Sequence, residues 1–547
     1  MEEEALDKNA HINHLPNEIL EYIISLLLPY QDLEQCQLVC KRWQIVVKSV
    51  IKHKKLEFYR AISNFCIQWV DEEESVNPVI TKRYFHSACS HENAMYVFGG
   101  CACASTTFND LWKLDLSTRS WSRLLTMGSY PCPKACATLV YYNNTLILYG
   151  GWTYPSPYPL HQPWTIFNEL HVYDIVANRW SAITSTVTPP SMAGHTATVH
   201  GNNMVVFGGL DGHNSVSNDV WCLNLKTMSW CKKDTSDKRP HARYKHSQIA
   251  IDEDHLIILG GYIGPPNMMS NDVWLLTMTG KVWVWSSITI NNTQWAASHL
   301  WCHPACKVDD FVVVLSRNPE SSPTPLAYTR WAINSHTRNH QRRPFEEQNL
   351  NNGRNGDEVL RGNSNNCARI DRDVNVNGRR GSFISRVWMI DRPANPWNPR
   401  RASEPSSGRI STNAIHLNSI RGYMLPNLRN QEKRLDVLRK MEEKIRQIKK
   451  DSKRSKHPKM AMFVLNISKI LEEKPEADWL PLRRVAEGSP EPTIFYTLVK
   501  GNGELIMFGG IKKDASAVQS SQSQQSSDEA DIVSNSLHFI TAPVTTV

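Results

Sequence analysis

The sequence lacks the long apolar stretch that a membrane-spanning helix requires. No run of about 18 apolar residues occurs anywhere in its 547 residues. The chain opens with Met1 and three glutamates, whereas a secretory leader is basic and then apolar. We therefore expect a soluble intracellular protein with no membrane partner.

Disulfide, metal and catalytic signatures are missing as well. The cysteines number 13, an odd count whose spacing suggests no disulfide framework, so we expect reduced thiols. Cys302 and Cys306, like Cys101 and Cys103, lack the spacing of a four-ligand zinc site. No Gly-rich phosphate loop and no nucleophile elbow occurs. We expect no catalytic residue, no metal and no cofactor, and hence a protein that is not an enzyme.

The charge does not indicate a nucleic-acid surface. The net charge is +8, but residues 429–456 alone hold twelve basic and five acidic residues, a net of +7. Within them, residues 446–456 are either a nuclear-import tract or a solvated basic linker, and the linker is the more ordinary interpretation. We expect no nucleic-acid partner and a cytoplasmic protein, with the nucleus as the second location.

What the sequence has instead is a unit that repeats. Each copy is an apolar run closed by two glycines, a polar loop, an Asn-Asp or similar pair that opens a second run, and in most copies a late tryptophan. An apolar run closed by paired glycines predicts a buried strand and a tight turn. The first runs lie at 95–100, 146–151, 204–209, 256–261 and 505–510.

The spacing of the copies predicts the fold. The first glycines of the four early copies lie 51, 58 and 52 residues apart. Periods of this size, with paired glycines and a late tryptophan, are typical of propeller blades, and here the chain resembles the Kelch family. Five clear copies carry this resemblance.

A further blade, fifth in chain order, is interrupted. Its apolar strand at 311–316 has no glycine pair, and the matching remainder lies far downstream at 462–467 and 479–482. Residues 387–391 with Trp397 fit the motif nearly as well, but Trp479 runs without interruption into the last copy. We therefore predict six blades with one long insertion inside the fifth.

Closure of the ring needs one more strand. In four successive blades the tryptophan precedes the opening position of the next blade by 15 to 18 residues, but no tryptophan follows the last copy. Trp69 stands 17 residues before His86. We predict that residues 66–70 form the outer strand of the sixth blade and pair with 535–541, which removes two open strand edges.

Three apolar helices are predicted ahead of the propeller. Pro16 suits the first turn of the first helix, and Asp32 with Gln35 resembles a capping box at the second. About 40 residues are too few to bury these apolar faces alone, so the segment either docks on the propeller or offers a patch to another protein. The ordered residues resemble an F-box, and those expected to bind its adaptor are Leu15, Pro16, Ile19, Leu20, Ile23, Leu33, Leu38, Val39, Cys40 and Trp43.

These resemblances predict a mainly β protein: a six-bladed Kelch β-propeller preceded by a small three-helix F-box, with a long disordered insertion in blade five. The resemblance covers about 14–316 and 458–547. The insertion is rich in Asn, Arg, Ser and Pro without a sustained pattern. The predicted boundaries are 1–13 disordered, 14–52 F-box, 53–65 linker helix, 66–316 closing strand and first blades, 317–456 disordered insertion, and 457–547 completion of blades five and six.

An F-box joined to Kelch repeats resembles the F-box/Kelch-repeat adaptors of ubiquitin ligases. The resemblance implies a substrate-recognition subunit of an SCF-type cullin–RING ligase. The F-box would bind the Skp adaptor with its cullin and RING subunits, and the propeller would bind a protein substrate. A non-ligase Kelch scaffold, for example a cytoskeletal one, is the alternative. A Kelch enzyme related to galactose oxidase is the enzymatic rival, which the F-box disfavours.

Substrate contact is expected at the rim formed by the turns after the glycine pairs. The turn at 152–167 is long and aromatic, which favours protein contact, although self-packing over its blade is the alternative. The Kelch resemblance adds basic residues that would hold acidic or polar peptide groups. The predicted substrate-contact residues are Arg83, Lys134, Trp152, Tyr154, Tyr158, His161, Trp164 and Arg243.

Histidines recur once per blade. They are His86, His195, His246 and His303, with Cys136 taken as the matching residue of the second blade. Because they belong to separate blades of a ring, we interpret them as structural residues that tie neighbouring strands together, not as metal ligands.

Overall fold

The computed structural model describes the chain in several ranges. They are 12–71, 79–102, 106–154, 165–213, 215–264, 269–297, 300–318, 459–482, 486, 488–512 and 532–543. Several predictions lie outside them: disorder at 1–11, almost all of the insertion 317–456, the rival strand at 387–391, and the rim residues Tyr158, His161 and Trp164.

Three α-helices, which we label α1 to α3, open the described chain after a short 3-10 turn at Ile12–His14. They span Asn17–Ser25, Gln31–Val39 and Lys41–Asn64. α1 and α2 pack on the first half of α3 around a core of Leu20, Ile24, Leu33, Val46, Val47 and Val50. The predicted boundary between residues 52 and 53 falls inside α3, because the helix continues to bury apolar side chains as far as Ile62.

The starts of the first two helices differ from the prediction. Pro16 precedes α1 as its N-cap, so it lies outside the first turn. Tyr30 precedes α2, and no side-chain cap hydrogen bond forms there. The predicted capping box is therefore wrong, since the residue at the cap position is Tyr30, which is buried against the β domain.

Six antiparallel sheets form the propeller. The first strands of successive blades lie side by side in a closed ring, and each blade runs outward from there. From inner to outer, the strands of blades one to six are Ser87–His91, Ala94–Phe98, Leu111–Asp115, Ser120–Leu124; Thr138–Tyr142, Thr145–Tyr149, Leu170–Asp174, Arg179–Ile183; Thr196–His200, Asn203–Phe207, Val220–Asn224, Ser229–Lys233; Ser247–Ala250, His255–Leu259, Val273–Thr277, Val284–Ser287; Ala305–Val308, Phe311–Arg317, Met460–Asn466, Glu476–Trp479; and Thr497–Lys500, Glu504–Lys512, Val533–Thr541, Gln68–Asp71.

Short additional strands lie beside the four-stranded blades. Hairpin-like pairs follow or precede the glycine turns, and two short strands lie parallel to the outer strands of blades two and five. They are Cys101–Ala102 with Thr106–Thr107, Trp152–Thr153 with Thr165–Ile166, Met192–Ala193 with Leu210–Asp211, Met127–Gly128, Thr289–Asn291 and Thr493–Ile494; a 3-10 turn spans Thr293–Trp295.

The glycine pairs end the second strands for a steric reason. Gly99 has φ +65°, and a Cβ there would lie 2.4 Å from the carbonyl oxygen of Lys134. At Gly260 the corresponding approach to the Leu300 carbonyl is 2.2 Å. Only glycine accepts both the left-handed backbone and the close neighbour, so the pair recurs at the second strand in every blade except the fifth.

The predicted closure of the ring is confirmed. Gln68–Asp71 pairs antiparallel with Val533–Thr541, and Trp69 stands opposite Ile540. The sixth blade thus takes its outer strand from the first part of the chain and its three inner strands from the last.

The predicted return of the fifth blade is confirmed too. Phe311–Arg317 pairs with Met460–Asn466 over seven residues. The backbone N–H of Asn318 donates to the carbonyl oxygen of Lys459 at 3.0 Å. Arg317 is therefore the end of a strand, not the first residue of the insertion, and the two ends of the insertion are adjacent.

Tryptophans join each blade to the one before it. In blades one to four the outer-strand indole packs on the aromatic residue that precedes the glycine pair of the previous blade. The ring centroids are 4.9 Å apart for Trp121–Phe508, 5.6 Å for Trp180–Phe98, 4.8 Å for Trp230–Tyr149 and 5.1 Å for Trp285–Phe207. Each contact buries aromatic surface between two sheets, which stabilises their packing.

Candidate protein-interaction sites

Six residues, one from each blade, surround the axis at the end of the propeller where the glycine pairs lie. We call them the mouth residues: Phe85, Cys136, Gly194, Lys245, Cys302 and Phe495. The five that are not glycine hold left-handed backbone with φ between 52° and 60°. Five of the backbone N–H groups donate to the mouth residue of the preceding blade, at 2.7–3.3 Å. Strained backbone that its surroundings hold in place is common at functional sites.

Lys245 supplies the charge of the mouth. Its ammonium nitrogen lies 3.5 Å from the ring centre of Phe85, 5.1 Å from that of Phe495 and 5.6 Å from that of Trp301. Ring faces attract a cation but do not neutralise it. No ion-pair partner of Lys245 occurs among the residues that the structure describes. Burial raises the pKa of the neighbouring Cys302 thiol to about 12, so that group is uncharged.

Aromatic side chains from the neighbouring hairpins wall the mouth. The hydroxyls of Tyr84 and Tyr154 are 3.4 Å apart, and Trp152 packs edge-on against Tyr154 with centroids 4.9 Å apart. Trp152 is buried in this cluster, whereas Tyr154 is half-buried. Of the predicted rim aromatics, the structure thus brings Tyr154 to the surface of the mouth and makes Trp152 part of its support.

The N-terminal helices contact the opposite end of the propeller. There the turns join first to second strands, or third to fourth, away from the glycine pairs. The Asn93 amide donates to Glu34 at 3.1 Å, and the backbone N–H of Gln31 donates to the Ser117 hydroxyl at 3.2 Å. The mouth and the helices therefore lie at opposite ends of the propeller.

Large apolar side chains are exposed on the helices. Leu38, at the end of α2, is 78% exposed. The others on the F-box part of the helices are Ile19, Tyr22, Ile23, Leu26, Val39 and Ile45, and Leu56 is exposed further along α3. Exposed apolar side chains that cluster on one small module indicate a protein contact.

Comparisons with known proteins agree with this geometry. A family model described as "FBX42, beta-propeller domain" matches residues 83–283, and one described as "F-box-like" matches residues 12–54. The chain combines an F-box-like segment with a Kelch-type propeller domain.

Curated relatives match part of the chain. Kelch domain-containing protein 1 of Mus musculus is 29% identical over 240 residues, 40% of this chain and 57% of the relative. Kelch domain-containing protein 2 of Bos taurus is 28% identical, over 41% of this chain and 58% of the relative. Acyl-CoA-binding domain-containing protein 5 of Arabidopsis thaliana is 30% identical, over 40% of this chain and 33% of the relative. The chain thus spans less than two thirds of each relative.

The ten residues predicted to bind the adaptor differ in their exposure. Pro16, Ile19, Ile23, Leu38, Val39 and Cys40 are exposed, and Leu15 and Trp43 are half-buried. Leu20 and Leu33, however, are the centre of the F-box core and are 0% and 1% exposed. Their assignment to the binding face is corrected, because a side chain without exposed surface cannot contact an adaptor. Tyr22, Leu26 and Ile45 were missed, although the helical spacing of their exposed neighbours indicates the same face.

Three predicted substrate-contact residues are structural instead. Arg83, Lys134 and Arg243 are 0–1% exposed. Their partners are the acidic residues of the Asn-Asp/Glu pairs, at 2.8 Å for Arg83–Asp110, 2.8 Å for Lys134–Glu169 and 2.6 Å for Arg243–Asp272. The prediction that these cations meet a substrate is corrected: they fasten the glycine turns, since Arg83 and Arg243 also donate to the carbonyl oxygens of Gly99 and Gly260.

The titration of these pairs fits a structural role. Burial alone would raise the pKa of Asp110, but the hydrogen bonds and charge of Arg83 lower it below the usual value. The pKa of Asp272 is lowered in the same way by Arg243. The acidic residue of each Asn-Asp/Glu pair is visible in the sequence. Nothing in the sequence shows that its basic partner lies about thirty residues earlier.

The blade histidines tie neighbouring strands together, as interpreted. His86 Nε2 is 2.8 Å from Thr497 Oγ1, His195 Nε2 3.1 Å from Thr138 Oγ1, and His246 Nε2 2.6 Å from Thr196 Oγ1, each across a blade boundary. His303 faces Ser316 of its own blade at 3.4 Å. Cys136 does not match them: the glycine that faces His195 or His246 in other blades faces Ala137 in blade two.

Within the ranges that the structure describes, no group of three His, Cys, Asp or Glu side chains is placed to hold a metal ion. No helix in those ranges combines the length and apolar character needed to cross a membrane.

Proposed function

We propose that this protein is the substrate-recognition subunit of an SCF-type cullin–RING ubiquitin ligase, of the F-box only protein 42 type. One observation carries the proposal. The F-box exposes an apolar face at one end of the propeller, while a cationic, aromatic mouth opens at the other. The match to the FBX42 propeller model supports the finer assignment.

In this function the chain supplies no chemical step. The F-box binds the Skp adaptor, the adaptor brings cullin and RING subunits, and the mouth holds a protein substrate near a ubiquitin-charged conjugating enzyme. Holding two reactants together raises the effective concentration of a substrate lysine. Lys245 would pair with an acidic or other anionic group of the substrate, and the aromatic walls would bind its apolar neighbours.

Adaptor binding is tested by a double charge insertion. Ile19→Asp with Leu38→Asp puts two carboxylates on the exposed F-box face, where the wild-type chain would bury apolar surface. We expect affinity for purified Skp adaptor to fall at least tenfold. The control is Leu125→Asp with Val176→Asp, which changes two exposed apolar residues of the propeller. Retained binding by the F-box variant would show that this face is not the adaptor site, and a wild-type chain that does not bind the adaptor would favour the scaffold alternative.

Substrate binding is tested at Lys245. Lys245→Met keeps a side chain of similar length and removes the charge, whereas Lys245→Arg keeps the charge. With proteasome activity blocked, partners that depend on the mouth should be lost from Met-variant purifications and kept with Arg. Lys233→Met is the control, because the Lys233 ammonium also lies over an aromatic ring, Trp283 at 5.1 Å, but on an outer strand. Identical partners for Lys245→Met and wild type would place the substrate elsewhere.

A further inference from the structure

Tyr30 anchors the F-box in the propeller core. It lies at the start of α2, is 1% exposed, and belongs to the apolar cluster between blades six and one. Its hydroxyl donates a hydrogen bond to Glu504 Oε1 and accepts one from the backbone N–H of Asn502 at 3.3 Å. Burial, with the nearby Glu504 charge, raises the pKa of Tyr30, so the hydroxyl keeps its proton and stays a donor.

Glu504 has a second partner, an arginine from blade one. Arg119 Nη2 lies 3.4 Å from Glu504 Oε2, and the guanidinium sits 3.7 Å from the ring centre of Phe539. The carboxylate is 3% exposed. One buried acid therefore joins the F-box, blade six and blade one, and we call Tyr30, Glu504 and Arg119 the joint.

Polar contacts around the joint hold the same segment. The Asn502 amide donates to the carbonyl oxygen of Pro29 at 3.1 Å. Together with the Gln31–Ser117 and Asn93–Glu34 hydrogen bonds, it fixes the connection between α1 and α2 to three turns of the propeller. A mobile tether would not need a buried carboxylate with partners on both oxygens.

A second attachment lies at the far end of α3. Phe58, Ile62 and Phe65 enter the cluster between blades five and six, and Tyr59 stacks on Phe311 with centroids 4.9 Å apart. α3 alone leaves the F-box able to rock about the end of one helix. A second contact, at the start of α2, removes that freedom.

We infer that the joint fixes the angle between the adaptor-binding face and the mouth, which makes Tyr30 and Glu504 positioning residues for ubiquitin transfer. The inference rests on the proposed function. In a proximity mechanism, a rocking F-box spreads the acceptor over a larger volume and lowers its effective concentration at the conjugating enzyme. Loss of the joint should therefore change where and how fast ubiquitin is attached, without changing either binding step.

The chain's own propeller lysines serve as acceptors, so no substrate is needed. The full chain is reconstituted with Skp adaptor, cullin, RING subunit, ubiquitin-activating and conjugating enzymes, and the modified lysines are mapped by mass spectrometry. Wild type should modify a narrow set of lysines. Tyr30→Ala should at least double the number of modified positions and slow the initial rate at least threefold, while adaptor affinity changes less than twofold.

Controls separate positioning from folding. Tyr130→Ala removes an exposed propeller tyrosine and should keep the wild-type pattern. Tyr30→Phe keeps the ring and removes only the hydroxyl, so it should give an intermediate pattern in a fully folded protein. In the Tyr30→Ala chain, Glu34→Cys with Asn93→Cys, bridged by a short bismaleimide that alkylates both thiols, should restore the narrow pattern, which a merely structural role of Tyr30 does not predict.

Hydrogen exchange makes the failures distinguishable. Residues 28–34 should exchange faster in Tyr30→Ala than in wild type. Faster exchange with an unchanged lysine pattern overturns the positioning role, and unchanged exchange overturns the joint itself. Absence of adaptor binding and of ubiquitin transfer in wild type refutes the proposed function instead.

Discussion

Closure of the ring depends on Trp69, and its replacement by alanine is the most direct test of the fold. The indole is 6% exposed, meets His538 edge-on at 5.9 Å, and packs in the cluster that α3 shares with blades five and six. Removing a buried tryptophan costs about 3–5 kcal/mol. Against the roughly 5–15 kcal/mol of a typical domain, that is a large fraction of the free energy of unfolding.

The assay is urea unfolding followed by circular dichroism, with hydrogen exchange as a local measure. Trp69→Ala should lower the unfolding midpoint and speed exchange first in residues 538–541, whose outer edge is covered by strand 68–71. Trp295→Ala is the matched control, because that indole is 38% exposed on a surface 3-10 turn. A Trp69 variant as stable as the Trp295 variant would refute the closure argument.

Three other predictions follow from buried groups and chain geometry. Burial lowers the pKa of His195 to about 3, below its unfolded value. The stability that neutral His195 contributes is therefore complete above about pH 6.5 and is lost as pH falls towards 3. The free energy of unfolding should differ between pH 7.5 and pH 5 by about 2 kcal/mol less in His195→Gln than in wild type. Arg243→Met should cost about 3 kcal/mol in urea unfolding, because it leaves Asp272 partly buried and unpaired. Lys232→Met, which breaks an exposed pair, should cost less than about 1 kcal/mol, and equal losses would show that burial is not the cause. Replacing residues 320–457 by a short Gly/Ser loop should leave the thermal midpoint within a few degrees, since the ends of that segment are already adjacent and loop length adds little closure entropy; an aggregated product would contradict this.

The blade count and the closing strand could be predicted because both rest on repetition. The glycine pair that recurs at the second strand of five blades gives the sequence a visible period. Trp69 was found by the same means, since its distance to His86 copies the spacing inside the ring. Patterns that recur once per blade therefore transfer from sequence to structure.

Residues whose roles depend on partners outside the repeat could not be assigned in this way. Arg83 and Arg243 are of a residue type that often binds substrates. Only the fold reveals that each is buried and paired with an acidic residue. Lys245 was overlooked because it adjoins the repeated His246 and resembles no fixed motif. Tyr30 was hidden for a similar reason: its partner Glu504 lies 474 residues later in the chain.

The confirmed pairing of the two ends of the propeller has a consequence for synthesis. The strand at Gln68–Asp71 leaves the ribosome long before Val533–Thr541, the strand that it covers. Until then blades one to four can assemble in order, but the last two sheets and the anchor for α3 wait with unpaired edges. Such late, long-range pairing is slow and exposes the nascent chain to aggregation. Loss of only the final strand would leave blade six without its third strand and strand 68–71 without a partner, so truncations near the C-terminus should act on the whole ring.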